Sequence, residues 1–167
     1  MMTPFKISTF TNSITIGWEE PASNGGCPLT GYAVYRDDGL GGDVTTEVNE
    51  VDDPLITGNP TLRQATITDF PADFEGVVFR FKVRAYNRED YVDSPFVRIL
   101  NAGPPDDLTD AVVLVKQTDS YLQVTMPLID QANVGNSDII SYNLQMDDGH
   151  GGDFYSIAGE DSLSMQT

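Results

Sequence analysis

The stretch Phe79-Arg80-Phe81-Lys82-Val83-Arg84-Ala85-Tyr86-Asn87 decides how this sequence is read. Phe79, Phe81, Val83 and Ala85 alternate with Arg80, Lys82 and Arg84. A period of two belongs to a β-strand with one apolar and one cationic face. The same alternation runs through Ile14, Ile16 and Trp18, and through Tyr32 and Val34. No window keeps an apolar i, i+3, i+4, i+7 pattern over three turns, so almost no helix is expected.

Turn signals separate the runs: Asn24-Gly25-Gly26, Asp38-Gly39, Gly41-Gly42, Gly58-Asn59-Pro60 and Gly103-Pro104-Pro105. Strands are expected over 4–9, 13–19, 30–37, 43–48, 62–68, 77–86 and 95–100. Seven short strands in about 100 residues suit one antiparallel sandwich. Pro104 and Pro105 after Gly103 stop a strand and stiffen the chain. They divide it into expected modules at 1–102 and 103–167.

The second half repeats the first. Ser13-Ile14-Thr15-Ile16-Gly17-Trp18 aligns with Tyr121-Leu122-Gln123-Val124-Thr125-Met126. Tyr32 through Asp37-Asp38-Gly39-Leu40-Gly41-Gly42-Asp43 aligns with Tyr142 through Asp147-Asp148-Gly149-His150-Gly151-Gly152-Asp153. The second copy carries the first four strands and the start of a fifth, with no counterpart of 77–100. The expected fold class is all-β: two consecutive sandwich modules, the second lacking its last strands. Such a module leaves an apolar face and open edges.

These residues resemble fibronectin type III domains, a branch of the immunoglobulin-like folds. That family has a strand ending in Trp, then a proline, a Gly-rich loop and a strand opening on Tyr. Here these are Trp18, Pro21, Asn24-Gly25-Gly26, Leu29 and Tyr32. Its sixth strand reads Tyr-x-Phe-Arg-Val-x-Ala-x-Asn, matched by 79–87, and Ser94-Pro95 opens the last strand. Phe79 stands where the family has its corner tyrosine, and Met126 stands for Trp18 in the second copy. The Asp-Asp-Gly-x-Gly-Gly-Asp block is similar to repeats in very large surface proteins of ciliated protists.

The chain has 167 residues, 40% of them hydrophobic, and nine Lys+Arg against 26 Asp+Glu, a formal net charge of -17. That surface repels nucleic acid and anionic headgroups. No run approaches 18 apolar residues, so no membrane insertion is expected in this segment. Cys27 is the sole cysteine, which excludes an intrachain disulfide. Met1-Met2-Thr3-Pro4 lacks a basic region followed by an apolar one, so no signal peptide is expected in this stretch.

Candidate chemistry is sparse. The carboxylates of Asp37, Asp38 and Asp43, echoed at 147–153, read first as a tight turn, since Asp-Gly and Gly-Gly supply positive φ. Their second reading is a Ca²⁺ site built from carboxylates and carbonyls. His150 is the sole histidine and has no partner at a catalytic or zinc spacing. Arg80, Lys82, Arg84 and Arg98, with Lys6 counted among them, form a cationic stripe that pairs with acidic neighbours or docks another copy's acidic face. Trp18, Tyr32, Phe79 and Phe81 read as core. Arg88-Glu89-Asp90 falls in a late loop.

No catalytic, cofactor-binding or metal-binding residue is assigned, and no enzyme is expected. The expected function is that of a structural or adhesive spacer, or protein-binding module, from a larger multi-module protein at a cell surface or outside the cell. Its partners are proteins, other copies included. The alternative is a self-assembling subunit whose incomplete second module accepts a strand from a neighbouring chain.

Overall fold

A computed structural model describes residues 3–48, 58–68, 70 and 73–159 of the chain. The chain separates into two compact units, Met1–Pro104 and Pro105–Thr167.

In the first unit, β1 (Phe5–Phe10), β2 (Ser13–Gly17) and β5 (Gln64–Ile67) form one antiparallel sheet in the order β1-β2-β5. The other sheet is built on β6 (Val78–Tyr86). One edge of β6 pairs with β3 (Gly31–Arg36), which pairs in turn with β4 (Thr46–Glu47). The other edge pairs with β7 (Tyr91–Asp93) along residues 84–86 and with β8 (Val97–Leu100) along residues 78–81. One core lies against both sheets. Ile14, Ile16, Ala65 and Ile67 come from the first; Tyr32, Val34, Phe79, Phe81, Val83 and Ile99 come from the second. Alternating burial along β6 follows its sequence pattern residue by residue. The unit is an all-β, immunoglobulin-like sandwich.

Three details depart from expectation. The strand expected over 43–48 shrinks to Thr46–Glu47, because the loop before it is committed elsewhere: the carbonyl of Gly42 accepts from the Arg80 guanidinium. Residues 91–93 form a strand that alternation did not reveal. The Asn87 side chain accepts the N–H groups of Glu89 and Asp90, both at 2.9 Å, and closes a hairpin turn. Arg88-Glu89-Asp90 is that turn. Finally, the last strand begins at Val97. Ser94 Oγ accepts the Val83 N–H at 2.9 Å while the Ser94 N–H donates to the Val83 carbonyl, also at 2.9 Å. The ladder is thereby satisfied at the residue where Pro95 interrupts it.

Asn101 fixes the corner where Phe79 brings no hydroxyl. Its N–H donates to the Val77 carbonyl at 2.9 Å, its carbonyl accepts the Gly76 N–H at 2.7 Å, and its Nδ2 donates to the Phe74 carbonyl at 3.0 Å.

Among its described residues the second unit has two antiparallel ribbons and one 3-10 turn (Gln131–Asn133). One ribbon pairs β9 (Val113–Gln117) with β10 (Leu122–Thr125); the other pairs β11 (Asn143–Met146) with β12 (Tyr155–Gly159). The first ribbon repeats the β1–β2 hairpin at an offset of 108. Phe5↔Gly17 becomes Val113↔Thr125, Lys6↔Ile16 becomes Leu114↔Val124, and Ser8↔Thr15 becomes Lys116↔Gln123. The register shift falls at the same step in both. A bulge redirects a strand and is a specified feature, so its recurrence marks the same structural unit.

Candidate functional site

The outward residues of β6 and its neighbours form the most chemically dense surface of the first unit. Asp93 accepts from Arg84 Nε at 2.6 Å, Arg84 Nη2 at 3.0 Å and Lys82 Nζ at 2.9 Å. The Arg84 guanidinium, with Lys82, holds the Asp93 carboxyl below the usual carboxylate range, and Asp93 raises the pKa of Arg84 in turn. Arg84 lies 3.7 Å from the Tyr91 ring centroid and 4.8 Å from that of Tyr35. Lower on the same face, Phe96 lies between Arg80 at 5.3 Å and Arg98 at 5.7 Å. The Tyr35 hydroxyl reaches Glu47 Oε2 and the Tyr86 hydroxyl, both at 3.2 Å. Burial, then the Tyr86 hydroxyl, pushes the Tyr35 pKa up.

The cationic stripe is thus a stacked ladder of cations and aromatic rings. Arg80, Lys82 and Arg84 are neutralised by Asp37 and Asp93, as cross-strand pairing requires. Lys6 does not belong to it: β1 lies in the other sheet, where Lys6 pairs with Ile16. Alternation alone assigns a residue to a face of its own strand and says nothing about which sheet holds that strand.

The Asp-Asp-Gly loop follows β3. Asp37 is 1% exposed. Its Oδ1 accepts the Gly39 N–H at 3.2 Å and the Arg80 N–H at 3.0 Å; its Oδ2 accepts Arg80 Nε at 2.7 Å. Asp38 Oδ1 accepts the N–H groups of Leu40 at 2.9 Å and Gly42 at 3.0 Å. Those bonds, Leu40 first, hold the Asp38 carboxyl below its usual range. The second copy repeats the pattern. Asp147 Oδ1 takes the Gly149 N–H at 3.1 Å, and Asp148 Oδ1 takes those of His150 at 2.9 Å and Gly152 at 3.3 Å. Gly39 and Gly149 share a φ of 76°, a left-handed conformation that glycine adopts without strain.

Backbone N–H groups therefore converge on these carboxylates. A Ca²⁺ site needs carboxylate and carbonyl oxygens converging on empty space. Among the described residues no cluster of three or more His, Cys, Asp or Glu side chains is arranged to hold a metal ion. The loops have the geometry of self-capped turns.

The remaining candidates fall apart spatially. His150 is exposed, with Nδ1 3.0 Å from the Asp148 carbonyl. Cys27 is half-buried in the turn that follows Asn24. An open cleft of about 480 Å³, lined by Pro21, Leu29, Asn87, Glu89, Tyr91 and Val92, lies between the loops at one end of the sandwich. Trp18, Tyr32, Phe79 and Phe81 are 2% exposed or less and face the core.

No family model matches this chain, and no curated protein matches it. Among solved structures, the FN1–FN3 domains of chicken CNTN1 are similar at 12% identity and a TM-score of 0.46, over 98% of this chain and 55% of that one. The chain thus spans a little over half the length of that structure.

Proposed function

We propose that this chain is a non-enzymatic spacer and protein-binding segment of a larger multi-module protein, placed at a cell surface or outside the cell. The observation that carries this reading is the hairpin that recurs at an offset of 108 with its bulge conserved in position. Repetition of one sandwich-type unit supplies length and surface. On the outward face of β6, Arg80, Lys82 and Arg84 are held in ion pairs with Asp37 and Asp93, which suits a rigid strut. The likeness to surface proteins of ciliated protists belongs to the same reading. Ca²⁺ has no role in it.

A second reading is favoured by the exposure of the second unit. Leu122, the counterpart of buried Ile14, is 57% exposed. Leu122 and its neighbours suit a module completed by a strand from elsewhere. Mass in solution as a function of concentration tests the pair. A monomer at all concentrations supports the spacer; an oligomer that persists on dilution replaces it with a self-assembling subunit.

A further inference from the structure

The loop between β2 and β3 carries the dipeptide Asn24-Gly25. Of nine asparagines in the chain, Asn24 alone precedes a glycine. Asn24, Gly25 and Gly26 are exposed. They form a tight turn: the Asn24 carbonyl accepts the Cys27 N–H at 3.3 Å, and Gly25 and Gly26 have φ of 68° and 84°. The same carbonyl accepts Asn87 Nδ2 at 2.8 Å, which ties this turn to the one between β6 and β7. Asn24, Gly25 and Asn87 line the open cleft together with Glu89 and Asp90.

The Asn24 side chain is arranged as an acyl acceptor. Its Oδ1 takes the Gly26 N–H at 3.0 Å, and that donor fixes which atom of the amide is the oxygen. Attack on Cγ would place negative charge on Oδ1, and a backbone donor already aimed there stabilises it. Nδ2 is the leaving group, and it donates no hydrogen bond among the described residues. The nucleophile is the Gly25 nitrogen, adjacent in the chain and so held close to Cγ. Its N–H donates to Ser23 Oγ at 3.2 Å, and that hydroxyl is lined up to pass the proton to water. Space around the nucleophile is open: a Cβ on Gly25 would meet only Asn87 Nδ2, at 3.5 Å, and one on Gly26 would meet nothing within 4 Å.

Other positions lack this combination. Asn59 precedes Pro60, which has no N–H. The Nδ2 groups of Asn87 and Asn101 are held by the Asn24 and Phe74 carbonyls. Asp38-Gly39 and Asp148-Gly149 carry carboxylates that are ionised near neutral pH and so resist attack.

We propose that Asn24 is a self-modifying site, converted to aspartate and isoaspartate through a cyclic imide closed by Gly25. The Gly25 nitrogen bonds to Asn24 Cγ and loses its proton; the Cγ–Nδ2 bond breaks, and the amide nitrogen leaves as ammonia. Water then opens the imide at either carbonyl. The sum consumes one water and releases one ammonia, with no oxidant or reductant. Opening at Cγ keeps the main chain and adds a carboxylate to a cleft rim that already holds Glu89 and Asp90. Opening at the main-chain carbonyl routes the chain through Cβ and Cγ. The oxygen that accepts from Cys27 and Asn87 then belongs to a carboxylate off the main chain, and the bridge between the two turns is reset.

The test is to age the whole folded chain in mildly alkaline buffer at body temperature and map the products by peptide mass spectrometry, with an isoaspartyl-specific methyltransferase as the second readout. Conversion at Asn24 is expected about tenfold faster than at any other asparagine, and at least as fast as in a synthetic peptide of sequence 19–30. S23A should slow it severalfold, and G25A, with Trp18 emission checking the fold, should abolish it. Slower conversion in the chain than in the peptide overturns the claim that the fold poises the site. Conversion that persists in G25A overturns Gly25 as the nucleophile, and an unchanged rate in S23A overturns the proton path. N24D carries the added charge with the main chain intact. Amide shifts at Asn87, Glu89 and Asp90 in the aged chain that N24D does not reproduce support the reset bridge, and identical spectra overturn it.

Discussion

Asp37 holds Arg80 by two different groups of the same residue, the backbone N–H at 3.0 Å and the side-chain Nε at 2.7 Å. One carboxylate thus closes the end of the β3–β6 ladder and neutralises an outward cation. Asp37 is buried and Arg80 is one-fifth exposed in its side chain. Removing one partner of a buried pair leaves the other charge uncompensated. D37A is expected to lower the stability of the first unit by about 3 kcal/mol. Trp18 is the single tryptophan and is 2% exposed, so its emission in a urea titration reports that unit alone. D147A, followed the same way, is expected to leave the curve in place.

The two glycines that open the loops are matched in φ and differ in surroundings. A Cβ on Gly39 would lie 2.8 Å from Val77 Cγ1 and 2.9 Å from Phe79 Cε1; one on Gly149 would meet nothing within 4 Å. Both substitutions carry the left-handed backbone cost, about 1–2 kcal/mol. G39A adds overpacking of about 1–3 kcal/mol. Thermal melts followed by Trp18 emission should show a large drop for G39A. For G149A, hydrogen exchange at 147–153 should rise modestly while the Trp18 melt is unmoved.

Acid should loosen the outward face of β6. Asp93 has its pKa lowered by Arg84 and Lys82, so its ionised form is favoured by the fold. That contribution is complete above the ordinary carboxylate value of about 3.9 and is lost as pH falls below it through the lowered value. Asp38 adds in the same sense through the Leu40 and Gly42 N–H groups. The Asp93 side chain is 31% exposed, so solvent screening trims its share to about 1–2 kcal/mol. D93N should cost that amount at pH 7 and flatten the fall in Trp18 melting temperature between about pH 4 and pH 2. A variant as acid-sensitive as the wild type would remove Asp93 from this role.

Most of the first sandwich was legible because its strands alternate strictly and its core residues are large. Phe79, Phe81, Trp18 and Tyr32 announced themselves by period and type, and the Asp-Asp-Gly repeat by identity. Other features depend on partners far away in sequence. Ser94 and Asn87 act through side-chain bonds to backbone, which no periodicity records. The bulge that β9 shares with β1 was hidden because both strands are largely exposed, where register constrains the backbone and leaves the side chains free. The double role of Asp37 was equally invisible, since Arg80 is 43 positions away.

Equivalent positions in the two units should respond very differently to truncation. Ile14 and Leu122 occupy the same place in the repeated hairpin, with Ile14 at 0% and Leu122 at 57% exposure. Ile14 packs among Ile16, Ile67 and the aromatic core. Deleting its side chain removes buried apolar surface and leaves a cavity, so I14A should cost about 2–5 kcal/mol in a Trp18-monitored urea titration. L122A has little buried surface to lose and should stay within about 0.5 kcal/mol of wild type in hydrogen exchange across β9 and β10.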